Sequence, residues 1–472
     1  MRKNKTTFAL QPELLVTLTR GGGALHQQIE RGLREAVRSG CLRRGAALPS
    51  TRTLAHDLGV SRGVVVEAYE QLTAEGFLSS CRGSRTFVSA EPAAIRDEPP
   101  VPSVAPMLFD FRPGLPDLRL FPHAAFARAV RRVLRSLRPA HLAYGDPEGA
   151  PELRMALAEY VGRVRHVVAG PPDIVVCSGI AQGLGVIARA LALRGARRIA
   201  IEDPGHPGQR QIVRQAGLEP VAIPVDDRGV RVDRLARSDV AAVLVTPAHH
   251  FPSGAVMAPE RRQELCAWAA ARGALIIEDD YDAEYRYDRQ GVGALQGLDP
   301  ARIVYAGSAS KVLAPALRLG WMVVPHAWRD ATREVKRIAD LGSATIDQLV
   351  YADFLRSGEL DRHLRRMRVI YRRRRDVLLA AIARHLPTWQ TRGVAAGLHL
   401  VAELPPGLEE LDAVRAAAGR SIRVHPMREY RIRPSPADPP GLVLGYACLD
   451  EAQLREAVRR LAEATRAHLS PR

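Results

Sequence analysis

The chain has 472 residues, 46% hydrophobic and 25% charged, with a formal net charge of +17. This composition excludes a disordered or fibrous polypeptide, and the length exceeds what one hydrophobic core usually serves, so two or three domains are expected. Five cysteines, odd in number, far apart and without a C-x-x-C pair, fit a reducing cytoplasm and argue against disulfides or a thiolate zinc site.

No apolar run approaches ~18 residues, so no membrane span is expected. The basic start Met1–Lys5 is not followed by a signal-peptide core. Positive charge suits a polyanion or a phosphate-bearing ligand. Residues 1–90 hold 13 Lys/Arg against 7 Asp/Glu, and the rest of the excess lies beyond them, so charge alone singles out no nucleic-acid-binding segment.

In chain order, Leu25, Ile29, Leu33 and Val37 recur at i, i+4 and predict an amphipathic helix that ends at Ser39-Gly40. Leu48-Pro49-Ser50 leads into a second helix near Thr51–Leu58, stopped by Gly59. Ser61 is the expected N-cap of a third helix running to Glu75, with Val65, Tyr69 and Leu72 on its inner face. Residues 76–78 and 86–88 then read as two short strands. Helix-turn-helix followed by a two-stranded wing is a winged helix, which lays its recognition helix in the major groove of DNA. The stretch 91–107, with Pro92, Pro99, Pro100, Pro102 and Pro106, reads as an extended, semi-stiff linker.

From residue 108 onward, apolar runs alternate with helical patterns, as in an α/β domain. Ile174–Cys177 is a strand, and Ser178-Gly179-Ile180-Ala181-Gln182 turns into a helix whose first N–H groups suit a phosphate. Ala274–Ile277 is a strand ending in Glu278-Asp279-Asp280-Tyr281-Asp282, at the sheet edge where α/β ligands bind. No histidine lies near these acids in sequence, so no metal is assigned. Ile303–Ala306 is a strand leading to Gly307-Ser308-Ala309-Ser310-Lys311. A lysine in this small-residue turn sits where an amine loses its proton and attacks a carbonyl. Ser308, Ser310 and Arg318 offer hydrogen bonds and charge to a phosphate. An amine nucleophile beside a phosphate site points to a Schiff base of Lys311 with pyridoxal 5'-phosphate (PLP), with Asp279 for the pyridinium nitrogen and Tyr281 for the phenolic oxygen.

The run from Glu202 to Gly320, with Glu202-Asp203-Pro204-Gly205, Phe251-Pro252-Ser253-Gly254, Ile277–Asp282 and Ser310-Lys311, resembles the fold-type I, aspartate-aminotransferase-like PLP proteins. The wording is closest to the MocR subfamily of GntR-type transcription regulators. Leu48–Arg52, Leu58–Arg62, Ala68-Tyr69 and Glu75-Gly76-Phe77 resemble the GntR winged helix, over residues 20–90. The resemblance implies DNA contacts at Ser50, Arg52, Ser61, Arg62, Arg82 and Arg85; Arg85 stands where the family usually has a second wing glycine. Over 108–472 it implies an aminotransferase-like effector and dimerisation domain that binds PLP through Lys311, Asp279, Tyr281, Ser308, Ser310, Arg318, His206, Ile180, Ala181 and Gln182. Tyr144 would reach the partner subunit's cofactor.

The sequence departs from the family at Ile180 and Ala181, which replace side-chain donors, at His206, which replaces a stacking tyrosine and can titrate near neutral pH, and at His250, which replaces a glutamine. Phe251 stands where true aminotransferases place a ring-oxygen-binding asparagine. Arg428, Arg431 and Arg433 are the candidates for holding a carboxylate. The arginines from Arg362 to Arg375 read as a solvated helix face. The resulting expectation is a cytoplasmic homodimer, domain-swapped head to tail, that binds a double-stranded operator and senses an amine, an amino acid or PLP. The rival expectation is a working aminotransferase with an appended head; a third is a large domain that has lost PLP and only dimerises.

Overall fold

The computed structural model describes residues 16, 18–19, 23–80, 85–90, 107–287, 291–435 and 437–469. The expected linker, apart from residue 107, and the wing turn with Arg82 lie outside them. The chain divides into two units, Met1–Val104 and Ala105–Arg472.

In the first unit, helices α1 (Leu25–Arg38), α2 (Thr51–Asp57) and α3 (Arg62–Ala74) precede strands β1 (Leu78–Ser80) and β2 (Thr86–Val88). The two strands pair antiparallel, Leu78 opposite Val88, and Ala47 bridges to Phe87 at their side. Ile29, Leu33 and Val37 bury against Leu54, Val65, Tyr69 and Leu72, whereas Leu25, in the first turn of α1, stays exposed. The Tyr69 hydroxyl donates to the Pro49 carbonyl at 3.0 Å and ties α3 to the entry of α2. Arg34 grips Glu75 through both carboxylate oxygens, linking α1 to the end of α3.

The second unit is built on an eight-stranded sheet. After β3 (Phe109–Asp110) come β4 (Ile174–Cys177), β5 (Arg198–Asp203), β6 (Glu219–Asp226), β7 (Gly229–Val230), β8 (Ala242–Val245), β9 (Leu275–Asp279), β10 (Ile303–Ser308) and β11 (Gly320–Val323). The order is β4-β11-β10-β9-β8-β5-β6-β7, parallel except for β11 and β7. Strands β4, β8 and β9 are buried throughout because helices cover both faces. Val175, Leu244 and Ile277 pack with Leu184, Ile187 and Val213 on one face; Val243 and Ile276 pack with Leu265 and Trp268 on the other.

A smaller antiparallel sheet combines Gln390–Arg392, His399–Glu403, Gly441–Gly445 and His425–Pro426. Strand β3 pairs with Ile422–Arg423, so the start of the unit is stitched to its end. The arginine-rich helix Glu359–His385 buries Leu364, Met367, Tyr371 and Leu378. It also buries Arg374, which meets Asp117 at 2.9 Å, while Arg373 reaches Glu451 at 2.7 Å and Arg368 the Glu284 carbonyl at 2.6 Å. Arg374 is thus withdrawn from the solvated face, whereas Arg362, Arg365, Arg366, Arg368, Arg372 and Arg373 are exposed as expected, Arg368 and Arg373 while also making those contacts.

Candidate functional site

The parallel strands end along one edge, and the residues after them line a cleft of about 580 Å³. Strand β10 stops at Ser308, and the one-turn helix Ala309–Val312 carries Ser310 and Lys311 into the cleft. Strand β9 delivers Asp279 and Tyr281, β5 delivers His206, and β4 delivers Gly179, Ile180 and Ala181. Arg318 enters from the same edge because β11 runs antiparallel and begins there. Lys311, Asp279, Tyr281, Ser308, Ser310, Arg318, His206, Ile180 and Ala181 thus share one cleft.

Burial draws the Lys311 ammonium below its usual pKa, against the opposing pull of Asp282 and Asp279. Gly114, with φ +69°, lies so close that a Cβ there would sit 3.3 Å from the Lys311 Nζ. The carboxylates at the end of β9 diverge. Glu278 accepts from the Leu295 and Gln296 N–H groups at 2.8 and 2.9 Å, and Asp280 takes a two-pronged contact from buried Arg165. Asp279 alone lines the cleft. Its Oδ2 accepts from Gln209 at 2.7 Å, and its Oδ1 is buried with no hydrogen-bond partner among the described residues. Burial, then Asp280, raises its pKa to about 7, with Lys311 and Gln209 working against that.

At the other end, Gly179 (φ +86°) caps the helix Ile180–Leu193, and Arg318 donates to the Ser178 carbonyl at 2.7 Å. Arg318 itself holds a left-handed backbone, φ 47°, where it ends the short turn Pro315–Leu317. Its guanidinium and the first N–H groups of the helix therefore face one corner. Behind the cleft, Glu202 accepts from the Thr246 N–H and hydroxyl at 2.9 and 2.6 Å, and burial pushes its pKa up to about 8.

Phe251 centres an aromatic wall, with ring centroids 5.7 Å from His206, 6.0 Å from Tyr281 and 5.2 Å from Tyr430. His206 is exposed at the cleft mouth, where its Nδ1 accepts the Gly208 N–H at 3.1 Å and caps the helix Pro207–Gln215. Surrounding protein, then the Lys311 charge, lower its pKa, so its titration moves away from neutrality.

Other expected residues lie elsewhere. The Gln182 side chain turns from the cleft to accept the Ser178 N–H at 2.7 Å and donate to Asp340 at 2.8 Å. Tyr144 is 89% exposed and does not line the cleft within one chain. His250 is buried a layer behind, bonded to Ser253 at 2.7 Å, because its short loop folds it inward. Arg428, Arg431 and Arg433 do not line this cleft either. Arg431 pairs with Asp438 at 3.2 Å and borders a second cleft of about 1320 Å³. Besides Arg318, the arginine among the described residues that lines the Lys311 cleft is Arg112, 3.3 Å from Asp110.

Gln209, Gly114, Arg112 and His249 were not legible as site residues. Gln209 lies one helical step from His206 and shares its side of the helix, the single signal that could have found it. The fold also brings His249 and His399 to Asp282, histidines that are remote from the acids in sequence.

In the head, Ser50 caps α2 by accepting the Thr53 N–H at 3.1 Å. Ser61 stands at the N-cap of α3 but makes no capping bond. Arg62 reaches Thr51 at 3.4 Å, which joins the starts of α2 and α3 into one surface; Ser50, Arg52, Ser61, Arg62 and Arg85 are all exposed.

A winged helix-turn-helix head joined to a fold-type I, aspartate-aminotransferase-like unit defines a class: DNA-binding regulators with an aminotransferase-like domain. The family "Bacterial regulatory proteins, gntR family" matches residues 25–88, and "Aminotransferase class I and II" matches residues 117–461. The probable rhizopine catabolism regulatory protein MocR of Rhizobium meliloti is 34% identical over 463 residues, spanning 93% of each chain. The pyridoxine biosynthesis transcriptional regulator PdxR of Corynebacterium glutamicum is 34% identical over 444 residues, covering 93% of this chain and 95% of its own. Among solved structures, the α-aminoadipate aminotransferase LysN of Thermus thermophilus, complexed with N-(5'-phosphopyridoxyl)-L-leucine, superposes with TM-score 0.69 at 26% identity, over 76% of this chain and 92% of its own. The multiple substrate aminotransferase of Thermococcus profundus gives TM-score 0.71 at 26% identity, over 78% and 93%. This chain belongs to the aminotransferase class I and II family through its large unit and to the gntR family through its head, the pairing of the MocR-type transcription regulators.

Proposed function

We propose that this regulator binds PLP at Lys311 and reads an amine, an amino acid or PLP itself as its effector. The observation that carries the reading is Asp279: its Oδ1 is buried without a partner among the described residues, in the same cleft as a lysine of lowered pKa and a corner of helix N–H groups beside Arg318. A bound pyridinium N–H would satisfy that oxygen, and pairing a bare buried acceptor is favourable by the desolvation it had cost. PLP, when bound, supplies an aldehyde for an amine nucleophile and an electron-withdrawing ring. The chain's own groups do the rest. Lys311 offers an amine whose pKa burial lowers, Arg318 and the helix start hold phosphate, and the Phe251 wall excludes water from one side. Ser50, Arg52, Ser61, Arg62 and Arg85 form the DNA-facing surface, with Arg82 added from the wing.

The homodimer reading, with exchanged heads, rests on the likeness to the MocR-type regulators, and Tyr144, exposed in the single chain, is the residue expected to reach the partner's cleft. Effector binding then alters DNA affinity only insofar as the effector prefers one arrangement of the heads over another. Borohydride treatment of PLP-saturated protein followed by peptide mass spectrometry tests the core of the reading, and the reduced cofactor is expected on the Lys311 peptide. An unmodified Lys311 peptide from folded, saturated protein would sink it. Multiple-turnover transamination, expected to be weak or nil because Phe251 withholds the second ring-oxygen donor that an asparagine would add to Tyr281, separates a sensor from a working enzyme.

A further inference from the structure

Tyr281 lines the cleft, and its hydroxyl oxygen lies 3.0 Å from the Nδ1 of His249. The same nitrogen lies 3.1 and 3.0 Å from the two carboxylate oxygens of Asp282. His249 and Asp282 are both buried, on separate loops after β8 and β9. Gly397, at φ +69°, closes over them: a Cβ there would fall 2.1 Å from His249 Cε1 and 2.5 Å from Asp282 Oδ2.

The hydrogen positions follow from these contacts. An ionised carboxylate only accepts, so the His249 nitrogen facing it must carry the hydrogen. A nitrogen that bears a hydrogen cannot accept one from Tyr281. The tyrosine oxygen is left to accept a share of the His249 N–H, and its own hydrogen must go elsewhere. Two acceptors compete for it: Asp282, whose charge is near enough to act on the hydroxyl, and any oxygen brought into the cleft. Because His249 already satisfies Asp282, Tyr281 can release the carboxylate and give its hydrogen to the cleft without leaving a bare buried charge.

We propose that His249 and Asp282 are positioning residues that turn the Tyr281 hydroxyl into a committed hydrogen-bond donor toward the cleft. This rests on the PLP reading above, in which the acceptor is the ring's phenolic oxygen. The other titratable groups around His249 do not disturb the assignment. His250 and His399 are each pushed down to about 3 by burial, so both are neutral, and the His399 Nε2 is occupied by the Pro252 carbonyl at 3.0 Å. Asp282 is then the partner that sets the His249 tautomer.

The test is a pH titration of the Schiff-base absorbance in full-length, PLP-loaded protein. A hydroxyl donor stabilises the ionised ring oxygen most once the imine has lost its proton, so Tyr281→Phe should raise the titration midpoint. His249→Leu should raise it by about 0.4–1 pH unit, corresponding to one neutral hydrogen bond weakened or misdirected. His249→Asn, which keeps an amide N–H near the Nδ1 position, should stay close to the parent. In a Tyr281→Phe background, His249→Leu should add almost nothing, because the effect passes through the hydroxyl. Equal shifts in both backgrounds, or no shift in either, would overturn the proposal. One retained equivalent of zinc per chain, absent from His249→Leu, would assign His249, Asp282 and His399 to a metal and overturn it as well. If His249→Leu does not fold, His249→Ala takes its place, with the same expected rise that His249→Asn should not show; a parent midpoint in His249→Ala overturns the proposal. A parent with no titrating band refutes the cofactor reading itself and removes this inference with it.

Discussion

Gly320 opens β11 directly against the corner where a phosphate would sit, and its replacement by alanine is the sharpest probe of that corner. A Cβ at Gly320 would lie 2.8 Å from the Cα and carbonyl carbon of Gly179 and 3.1 Å from the Ile180 nitrogen. These are backbone atoms, so no side chain can swing away. Relief to an ordinary contact near 3.4 Å requires the helix start to retreat by about 0.6 Å. Overpacking of this kind costs about 1–3 kcal/mol. The same displacement misaligns the first N–H groups of the helix Ile180–Leu193. Partial loss of one charge-assisted hydrogen bond, about 1.5 kcal/mol, corresponds to roughly tenfold in affinity.

The assay is PLP titration with thermal denaturation of the cofactor-free protein, for Gly320→Ala beside Gly185→Ala. Gly185 lies in the interior of the same helix, where a Cβ would meet Ile212 at an ordinary 3.7 Å. Gly185→Ala should be neutral, or stabilising by up to about 1 kcal/mol from helix propensity. Gly320→Ala should melt several degrees lower and bind PLP about tenfold more weakly. Unchanged PLP affinity in a clearly destabilised Gly320→Ala would show that the helix start does not hold the phosphate.

Arg52→Ala and Arg62→Ala should each weaken operator binding and lower the slope of log affinity against log salt by about one unit for every phosphate left without its arginine, with PLP absorbance unchanged; an unaltered salt series in the double variant removes them from the interface. Asp279 has a folded pKa near 7 against an ordinary 3.8, so the folded cofactor-free protein holds a proton that the unfolded chain has released between those values. Its contribution is fully present below about pH 4 and is lost as pH rises to about 7, a decline on the order of 1–4 kcal/mol. Asp279→Asn should flatten that part of the melting-temperature profile, and a parallel profile contradicts the assignment. His206→Tyr should tighten PLP binding a few-fold through larger ring overlap. It also removes the acceptor for the Gly208 N–H and should cost about 0.5–2 kcal/mol in stability; PLP titration and melting curves report the two effects separately.

Local pattern determined much of this protein. The i, i+4 spacing of Ile29, Leu33 and Val37 built α1, and the apolar runs ending in Asp279 and Ser308 built strands whose final residues open into the cleft, because a parallel sheet presents all its strand ends along one edge. Lys311, Asp279 and Tyr281 were legible for that reason: Asp279 ends a strand and the other two follow one within a few residues. Tertiary structure alone decided which of four adjacent acids does what. Glu278, Asp279, Asp280 and Asp282 are alike in sequence, but backbone donors, Gln209, Arg165 and His249 claim them one each, and those partners lie 17 to 115 residues away in sequence. It also sent Gln182 to Asp340 and His250 behind the cleft, lined the Lys311 cleft with Arg112 rather than Arg431, and buried Arg374 in a helix that reads as solvated. Spacing along the chain fixes the periodicity of one element. The partner a side chain meets depends on how elements cross, and that is set by packing over the whole unit.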